Sequence, residues 1–310
     1  MMETFTRSFC SSNSTHYYPA AQQFPKTVYI SACVFSVICS ISSTLGNTMI
    51  VLTLRKCQSL HPPSKALLCS LALTDLFVGL IVLPLFTAYY LMIILEIPRY
   101  YCVIAIIYGR TTSVFGGVSL ETITTIAIDR YLAFHLRLRY RELVKLSRVV
   151  SILVIEWILA AVWSGTWFWN RRINLLSGAT GLFMCVLIIP LCYVSICRGF
   201  RRHAAQIHQH ASFGTTNDLN LVQYKKTVNN MLWIYGFFLL CYMPYLSSLF
   251  AIFAKGLNNS TRFALHFSAV ATYVNSCLNP ILYCWKIKEL KEKVTADLCT
   301  LFNFLSSKTG

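Results

Sequence analysis

Charge is scarce in this sequence. Only 12% of its 310 residues are charged, where a soluble domain carries about 25%, so a large water-soluble fold is not expected. Acids are scarcer still, 11 against 27 basic residues. That positive excess does not mark a partner nucleic acid, because the basic residues are gathered between long apolar runs. Residues 1–26 lack the apolar centre of a signal peptide, so the first hydrophobic span is expected to direct its own insertion. There is no internal repeat and no low-complexity tract. No HExxH, GxSxG or paired-carboxylate constellation is visible, so zinc or nucleophile chemistry has no support and the chain is not expected to be an enzyme. The histidine run His203, His208, His210 is either a weak metal site or a solvated helical extension.

Apolar length is what the sequence has in quantity. Hydrophobic residues make up 56% of the chain, and mean hydropathy is +0.57. A helix needs about 20 apolar residues to cross the hydrocarbon. Seven segments qualify: Val28–Leu54, Ser64–Leu95, Cys102–Tyr131, Arg148–Trp169, Leu175–Phe200, Lys225–Ala254 and Arg262–Trp285. The expected fold is an all-α membrane protein, a seven-transmembrane helix bundle over residues 28–285 after an extracellular segment, 1–27. The connector His203–Gln223 is polar enough to read as a mobile loop. Lys and Arg collect after spans one, three and five, as in Arg55, Lys56, Arg137, Arg139, Arg201 and Arg202, and in the tail. The positive-inside rule places these in the cytoplasm and the N-terminus outside, as in a multi-pass protein of the plasma membrane. The sequons at Asn13, Asn258 and Asn259 fall on the outer side and are candidate glycosylation sites. In residues 286–310, Ile287, Leu290, Val294 and Leu298 form one stripe, which reads as an amphipathic helix on the inner membrane surface, in contact with lipid, before a cytoplasmic tail. Cys299 is either a palmitoylation site or a free cysteine.

An ionisable side chain inside a membrane is costly, so it is a candidate functional site. Asp75 lies mid-span, and other spans offer it Asn47, Ser119, Asn275, Ser276 and Asn279. Two readings stand: a cation site completed by water, or a hydrogen-bonded network around a protonated Asp75. Asp129-Arg130-Tyr131 ends span three. Arg130 carries five donors in a fixed fork, and Asp129 can hold it by a charge-assisted hydrogen bond; snorkelling at a helix end is the alternative. Pro244 and Pro280 each remove a helix hydrogen bond and favour a kink, either a lever between two states or a static bend.

Gly46-Asn47, Leu71-Ala72-Leu73-Thr74-Asp75, Asp129-Arg130-Tyr131, Trp157, Cys241-Tyr242-Met243-Pro244 and Asn279-Pro280-Ile281-Leu282-Tyr283 follow one another in successive spans. In this order they resemble the rhodopsin-like (class A) family of G-protein-coupled receptors, over residues 28–300. Residues 126–134, with Leu138-Arg139-Tyr140, are most similar to the adenosine and melanocortin branch. The resemblance implies a receptor that binds an extracellular ligand and activates heterotrimeric G proteins by outward movement of span six. Arrestin and receptor kinases are further implied partners. No cofactor is implied beyond allosteric sodium, held by Asp75, Ser119, Asn275 and Asn279. Activation and coupling fall to Asp129, Arg130, Tyr131, Leu138, Tyr193, Tyr242, Pro244, Asn279, Pro280 and Tyr283. Among these, Arg130 would meet the G-protein C-terminus and Leu138 would pack on the G protein, while Tyr193 and Tyr283 turn inward. The implied ligand pocket is walled by Thr112, Ser113, Gly116, Tyr245, Leu249, His266, Ala269 and Tyr273.

The departures from that pattern also inform. Tyr242 replaces the usual tryptophan switch, and Cys185 stands where the span-five proline is usual. Tyr224 and Lys225 replace the acid at the inner end of span six, so no ionic latch to Arg130 is expected and basal signalling should be raised. The family's outer disulfide runs to the second outer loop, but Asn170–Asn174 holds no cysteine. Of 13 cysteines, only Cys10 and Cys102 are clearly on the oxidising side, so a Cys10–Cys102 bridge is expected, with two free thiols as the alternative. Thr112 stands where amine receptors carry an acid, and Tyr273 where opsins carry a lysine. The expected ligand is therefore a small molecule or peptide, neither a monoamine nor retinal. Leu249 lacks the adenosine receptors' amide, and Leu85, Ala105 and Gly109 lack the melanocortin receptors' acids. Arg110 either attracts an anionic ligand, snorkels outward or pairs with Glu96. The competing class is a membrane transporter or channel. Against it stand the missing inverted repeat and the poor conduction path through a single intramembrane Asp.

Overall fold

A computed structural model describes residues 24–58, 60–210, 216–256, 258–286, 289–296 and 299; for 98–99, 138, 171, 203–210, 216–235, 259 and 286 it describes the backbone alone. Seven long helices fill the described chain. They are α1 Lys26–Lys56, α2 Pro62–Ile94, α3 Pro98–Leu136, α4 Leu146–Thr166, α5 Arg171–His210, α6 Thr216–Lys255 and α7 Asn259–Lys286. A short helix, α8, covers residues 289–296. The shortest long helix, α4, has 21 residues; at 1.5 Å each it reaches about 32 Å, enough for a hydrocarbon core of about 30 Å. Six of the seven are apolar enough over their length to cross a membrane unaided. The seventh, α7, carries Asn275, Ser276 and Asn279, all buried against the other helices.

The outside of the bundle is apolar. Ile38, Leu45, Val162, Leu191 and Leu240 are each more than half exposed. Helices are the fold that lipid permits here, because every backbone group away from the ends is satisfied within its own segment. Inside, Phe86, Tyr89, Tyr90, Tyr101 and Tyr273 pack as one cluster of α1, α2, α3 and α7. Leu120, Tyr193, Phe238, Tyr242 and Leu249 pack as another of α3, α5 and α6.

Small residues bring α1 close to its neighbours, as is usual where helices pack in lipid. A Cβ on Gly46 would lie 2.8 Å from Pro280 Cγ, and one on Gly79 2.6 Å from Thr44 Oγ1. Gly79 belongs to a π-turn, Val78–Val82, which breaks the regular ladder of α2 just before Pro84. Proline has no N–H to donate, and a π-turn absorbs the mismatch.

The expected loop His203–Gln223 needs correction. Helix α5 continues to His210, and α6 begins at Thr216. The histidine run thus lies on the helical extension of α5. A polar stretch beyond the membrane can stay helical, since water satisfies the outward faces that lipid would not.

Candidate ligand and signalling sites

Asp75 is fully buried mid-bundle. Asn279 Nδ2 of α7 donates to Asp75 Oδ2 at 2.6 Å. Its backbone carbonyl accepts the Ser43 hydroxyl at 2.8 Å. Asn47 ties α1 to α7 by donating to Ser276 O at 3.1 Å. Around this centre several buried atoms have no protein partner: Asp75 Oδ1, Asn47 Oδ1, Ser119 Oγ, Asn275 Nδ2 and the Tyr283 hydroxyl. A buried polar atom without a partner is costly, so the cluster is chemically unfinished. Four of these orphans are oxygens, one of them a carboxylate's, which is the donor set a hard cation takes. Asn275 has its amide nitrogen without a partner here; with the amide turned over, its oxygen would serve.

At the inner mouth, Asp129 is held from three sides. Arg130 Nη2 lies 3.1 Å from its Oδ2, the Tyr140 hydroxyl donates to Oδ1 at 2.6 Å, and Ser64 of α2 donates to Oδ2 at 3.3 Å. Tyr140 opens a single helical turn, Tyr140–Leu143, between α3 and α4. Burial first, then the bond to Asp129, pushes its hydroxyl up to about 12. The Arg130 side chain stays 31% exposed, and Tyr193 lies near enough to feel its charge. The Tyr131 ring lies tilted against His135, with centroids 4.1 Å apart. Tyr242 is buried and stacks on Phe238 at 4.5 Å. Pro244 and Pro280 lie inside α6 and α7. The Leu138 side chain, and those of Tyr224 and Lys225, lie outside the described residues.

The outer half is aromatic. Tyr273 shares a hydrogen bond with Tyr108 at 2.7 Å, Tyr89 shares one with Tyr101 at 2.8 Å, and His266 stacks on Tyr89 at 6.0 Å. Of the expected pocket wall, Leu249 is packed into the core, with Tyr245 against it. The Ser113 hydroxyl turns back to Gly109 O. Ala269 O accepts the Thr272 hydroxyl. The Thr112 hydroxyl has no partner, and a Cβ on Gly116 would meet nothing within 4 Å. A cavity of about 430 Å³ lies elsewhere, lined from α1, α2 and α7 with Tyr101 of α3, and His266 alone of the expected wall lines it.

Arg110 corrects another expectation. It donates to Ser164 O at 3.0 Å and Asn174 Oδ1 at 3.5 Å, and lies 4.6 Å over the Trp167 ring. Glu96 pairs instead with Lys26 at 2.9 Å. Arg110 thereby ties α3 to the short α4–α5 turn.

Two intramembrane glutamates lie outside the sequence-predicted sites. Glu156 of α4 is buried and accepts hydroxyls from Thr125 at 2.5 Å and Thr122 at 3.3 Å. Glu121 of α3 lies close enough for the two charges to interact, and its Oε2 has no partner. The signal was present: each is an acid inside an apolar run, the same criterion that marked Asp75.

Cys102 is disulfide-bonded; Cys10 and Asn13 lie outside the described residues. Cys299 is a free, exposed thiol. Asn258 accepts the Thr261 backbone N–H at 3.0 Å and so caps α7; the side chain of Asn259 is not among those described.

Residues 46–171 and 162–283 match the model of the 7 transmembrane receptor (rhodopsin family). The histamine H2 receptor of Canis lupus familiaris is 28% identical over 265 residues, covering 77% of this chain and 71% of that receptor. Adenosine receptor A3 of Ovis aries is 24% identical over 299 residues, covering 88% and 90%. Squid rhodopsin shares the fold with a TM-score of 0.75 at 20% identity, over 90% of this chain and 87% of that one.

Proposed function

The chain belongs to the rhodopsin family of seven-transmembrane receptors, and from that premise we propose that it binds an extracellular ligand and activates a heterotrimeric G protein through outward movement of α6. The observation that carries this reading is Arg130, part-exposed at the inner mouth and held by a buried Asp129. A cation poised there can leave one partner for another when the helices part. A ligand drives that change only by binding the open state more tightly than the closed one.

In this reading residues 28–285 form the signalling bundle in the plasma membrane, with residues 1–27 outside and 286–310 in the cytoplasm. Arrestin and receptor kinases use the same inner face. Asp75, Ser119, Asn275 and Asn279 would hold sodium, which supplies positive charge to the unfinished centre and favours the closed state. Cys10 is the proposed partner of Cys102, Cys299 the palmitoylated residue, and Asn13, Asn258 and Asn259 the glycosylated ones. The likeness to histamine receptors and the missing acid at Thr112 point in opposite directions for a monoamine ligand. Radiolabelled histamine binding decides between them, and we expect none.

The test of the central reading is nucleotide exchange on purified G proteins by the receptor in nanodiscs. With Tyr224 and Lys225 standing where the family carries an acid at the inner end of span six, exchange should be measurable without ligand, and Arg130→Gln should abolish it. Failure to accelerate exchange on any Gα class would overturn the proposal.

A further inference from the structure

Two thiols meet on the seam of α1 and α7. The Cys277 thiol of α7 donates to Cys39 O of α1 at 3.3 Å. Its sulfur also lies within hydrogen-bonding reach of the Cys39 sulfur. Along the same seam Asn47 donates to Ser276 O at 3.1 Å, and a Cβ on Gly46 would lie 2.8 Å from Pro280, so the two helices are held close. Cys39 is buried and Cys277 half-buried, both within the aromatic cluster of α1, α2, α3 and α7. The pairing is particular to these two. Cys33, earlier on α1, turns to α2, its thiol 3.9 Å from Thr87 O. Cys284, later on α7, packs on the cluster of Ile50, Leu54 and Leu290.

A thiol donating to a backbone carbonyl accounts for Cys277, and a serine would do the same. It does not account for a second sulfur beside the first. A metal ion is a poor guest there. Two thiolates around a soft monovalent ion keep a net negative charge, which burial opposes and which Asp75, close enough to act on Cys277, would repel. A disulfide is neutral and apolar and suits the setting. Depth selects the reagents. Cys39 lies about 20 Å along α1 from Lys26 at 1.5 Å per residue, near the middle of a hydrocarbon core of about 30 Å. Glutathione is a charged peptide and does not reach that depth. Hydrogen peroxide is small and neutral, and does.

We propose that Cys39 and Cys277 are a redox pair, closed by hydrogen peroxide to a disulfide between α1 and α7. The sulfur of Cys277, the more exposed of the two, attacks one peroxide oxygen. The O–O bond breaks, the thiol proton goes to the departing oxygen, and water leaves a sulfenic acid on Cys277. The Cys39 sulfur then attacks the sulfenic sulfur. The S–O bond breaks, and the Cys39 proton departs with that oxygen as a second water. Each sulfur has given up one electron, and the peroxide has taken both. The bond ties α7 to α1 about one turn before Pro280, where the helix lacks a ladder hydrogen bond, and so opposes displacement of α7. As a brake on signalling the bond rests on the function proposed above; as a bond it does not.

The test uses the full chain in phosphatidylcholine nanodiscs exposed to hydrogen peroxide. Remaining thiols are alkylated under denaturing conditions, and the digest is mapped without reductant. A peptide pair joined through Cys39 and Cys277 should appear, and should be absent in Cys277→Ser and in Cys39→Ala. The serine keeps a donor for Cys39 O, and the variants lie on different helices, so misfolding of one leaves the other. Glutathione should reopen the bond about tenfold more slowly in the nanodisc than in the denatured chain, because access limits the exchange. Peroxide should lower ligand-free nucleotide exchange about fivefold in the wild type and leave Cys277→Ser unchanged. Recovery of both cysteines in alkylated form, or of Cys277 joined equally to Cys33 or Cys284, would overturn the pair. Equal reopening in nanodisc and denatured chain would overturn its placement beyond aqueous reach. A complete bond with unchanged exchange would overturn the brake. A receptor that drives no exchange before or after peroxide overturns the function proposed above, while the mapping, which needs no G protein, still decides the pair.

Discussion

Two regions of the bundle bury acids, and they are built differently. Asp75 is reached from α7 by Asn279, while one of its oxygens and several neighbouring polar atoms have no protein partner. Glu156 has both oxygens taken, by two threonines of a single helix, α3. The first is an unfinished network joining α1, α2 and α7, which the proposed activation would shift. The second is a completed staple between α3 and α4. A buried polar centre left open is costly by itself, and it becomes useful when a bound ion or a rearrangement completes it. The difference separates a switch from a fastener, though both are carboxylates in lipid.

The largest expected effect tests that division directly. Replacing sodium by choline should raise basal nucleotide exchange several-fold, within the 5- to 150-fold (about 1–3 kcal/mol) that coupling between sites commonly reaches. Asp75→Asn should erase the difference, and Glu156→Gln should leave it intact. Loss of the sodium effect in Glu156→Gln would merge the two regions into one.

Next in size is the packing that serves each. Gly46→Ala drives a Cβ to 2.8 Å from the stiff ring of Pro280, beside Asn279; overpacking of this kind costs about 1–3 kcal/mol. Gly117, on the seam of α3 and α4, would place its Cβ at an ordinary 3.8 Å from Ala160, so Gly117→Ala should be tolerated. Thermal unfolding in nanodiscs compares the two. Equal losses would mean that close approach is not special to the Asp75 side.

Smaller again is the effect of neutralising the staple. Glu156→Gln keeps an acceptor for Thr125 and removes the repulsion from Glu121, so stability should rise or hold within about 1 kcal/mol. A large loss in the same assay would show that the charge, not the hydrogen bond, holds α3 to α4.

The sequence exposes the switch more readily than the fastener for a physical reason. Seven apolar runs fix the helices, because lipid leaves a chain little else to do. Asp75 and Asn279 sit in short runs shared with a known family, so their partnership is readable. Glu121 and Glu156 are just as conspicuous as acids, but nothing in two separate spans tells that Thr122 and Thr125 of α3 close on Glu156 of α4. The outer pocket is obscured in the same way. Tyr89, Tyr108 and Tyr273 come from three helices, and a helical-face pattern does not reveal which rings fill the space and which leave a gap beside α1. Tyr140 reads as a loop residue until Asp129 is seen behind it. At the inner end of α5 the polar run allows both a loop and a helical extension, because polarity, the cue for leaving the membrane, is not a cue for leaving the helix.

The inner mouth offers the finest test of a finished network. Asp129 is closed by Ser64, Arg130 and Tyr140. Tyr140→Phe removes one donor and no ring, so it should cost about 0.5–1.5 kcal/mol and raise basal exchange a few-fold by loosening the hold on Arg130. The pH dependence fixes the cause. The Tyr140 hydroxyl is pushed up to about 12 by burial and by Asp129, above the ordinary tyrosine value of about 10. A raised value means the folded chain favours the neutral hydroxyl, so its contribution is whole below pH 10 and lost as pH rises from 10 through 12. The stability gap between wild type and Tyr140→Phe should thus be flat from pH 6 to 9 and shrink only above 10. A gap that already narrows between pH 6 and 8 would assign the effect to another group, and Asp129 would no longer count as closed by Tyr140.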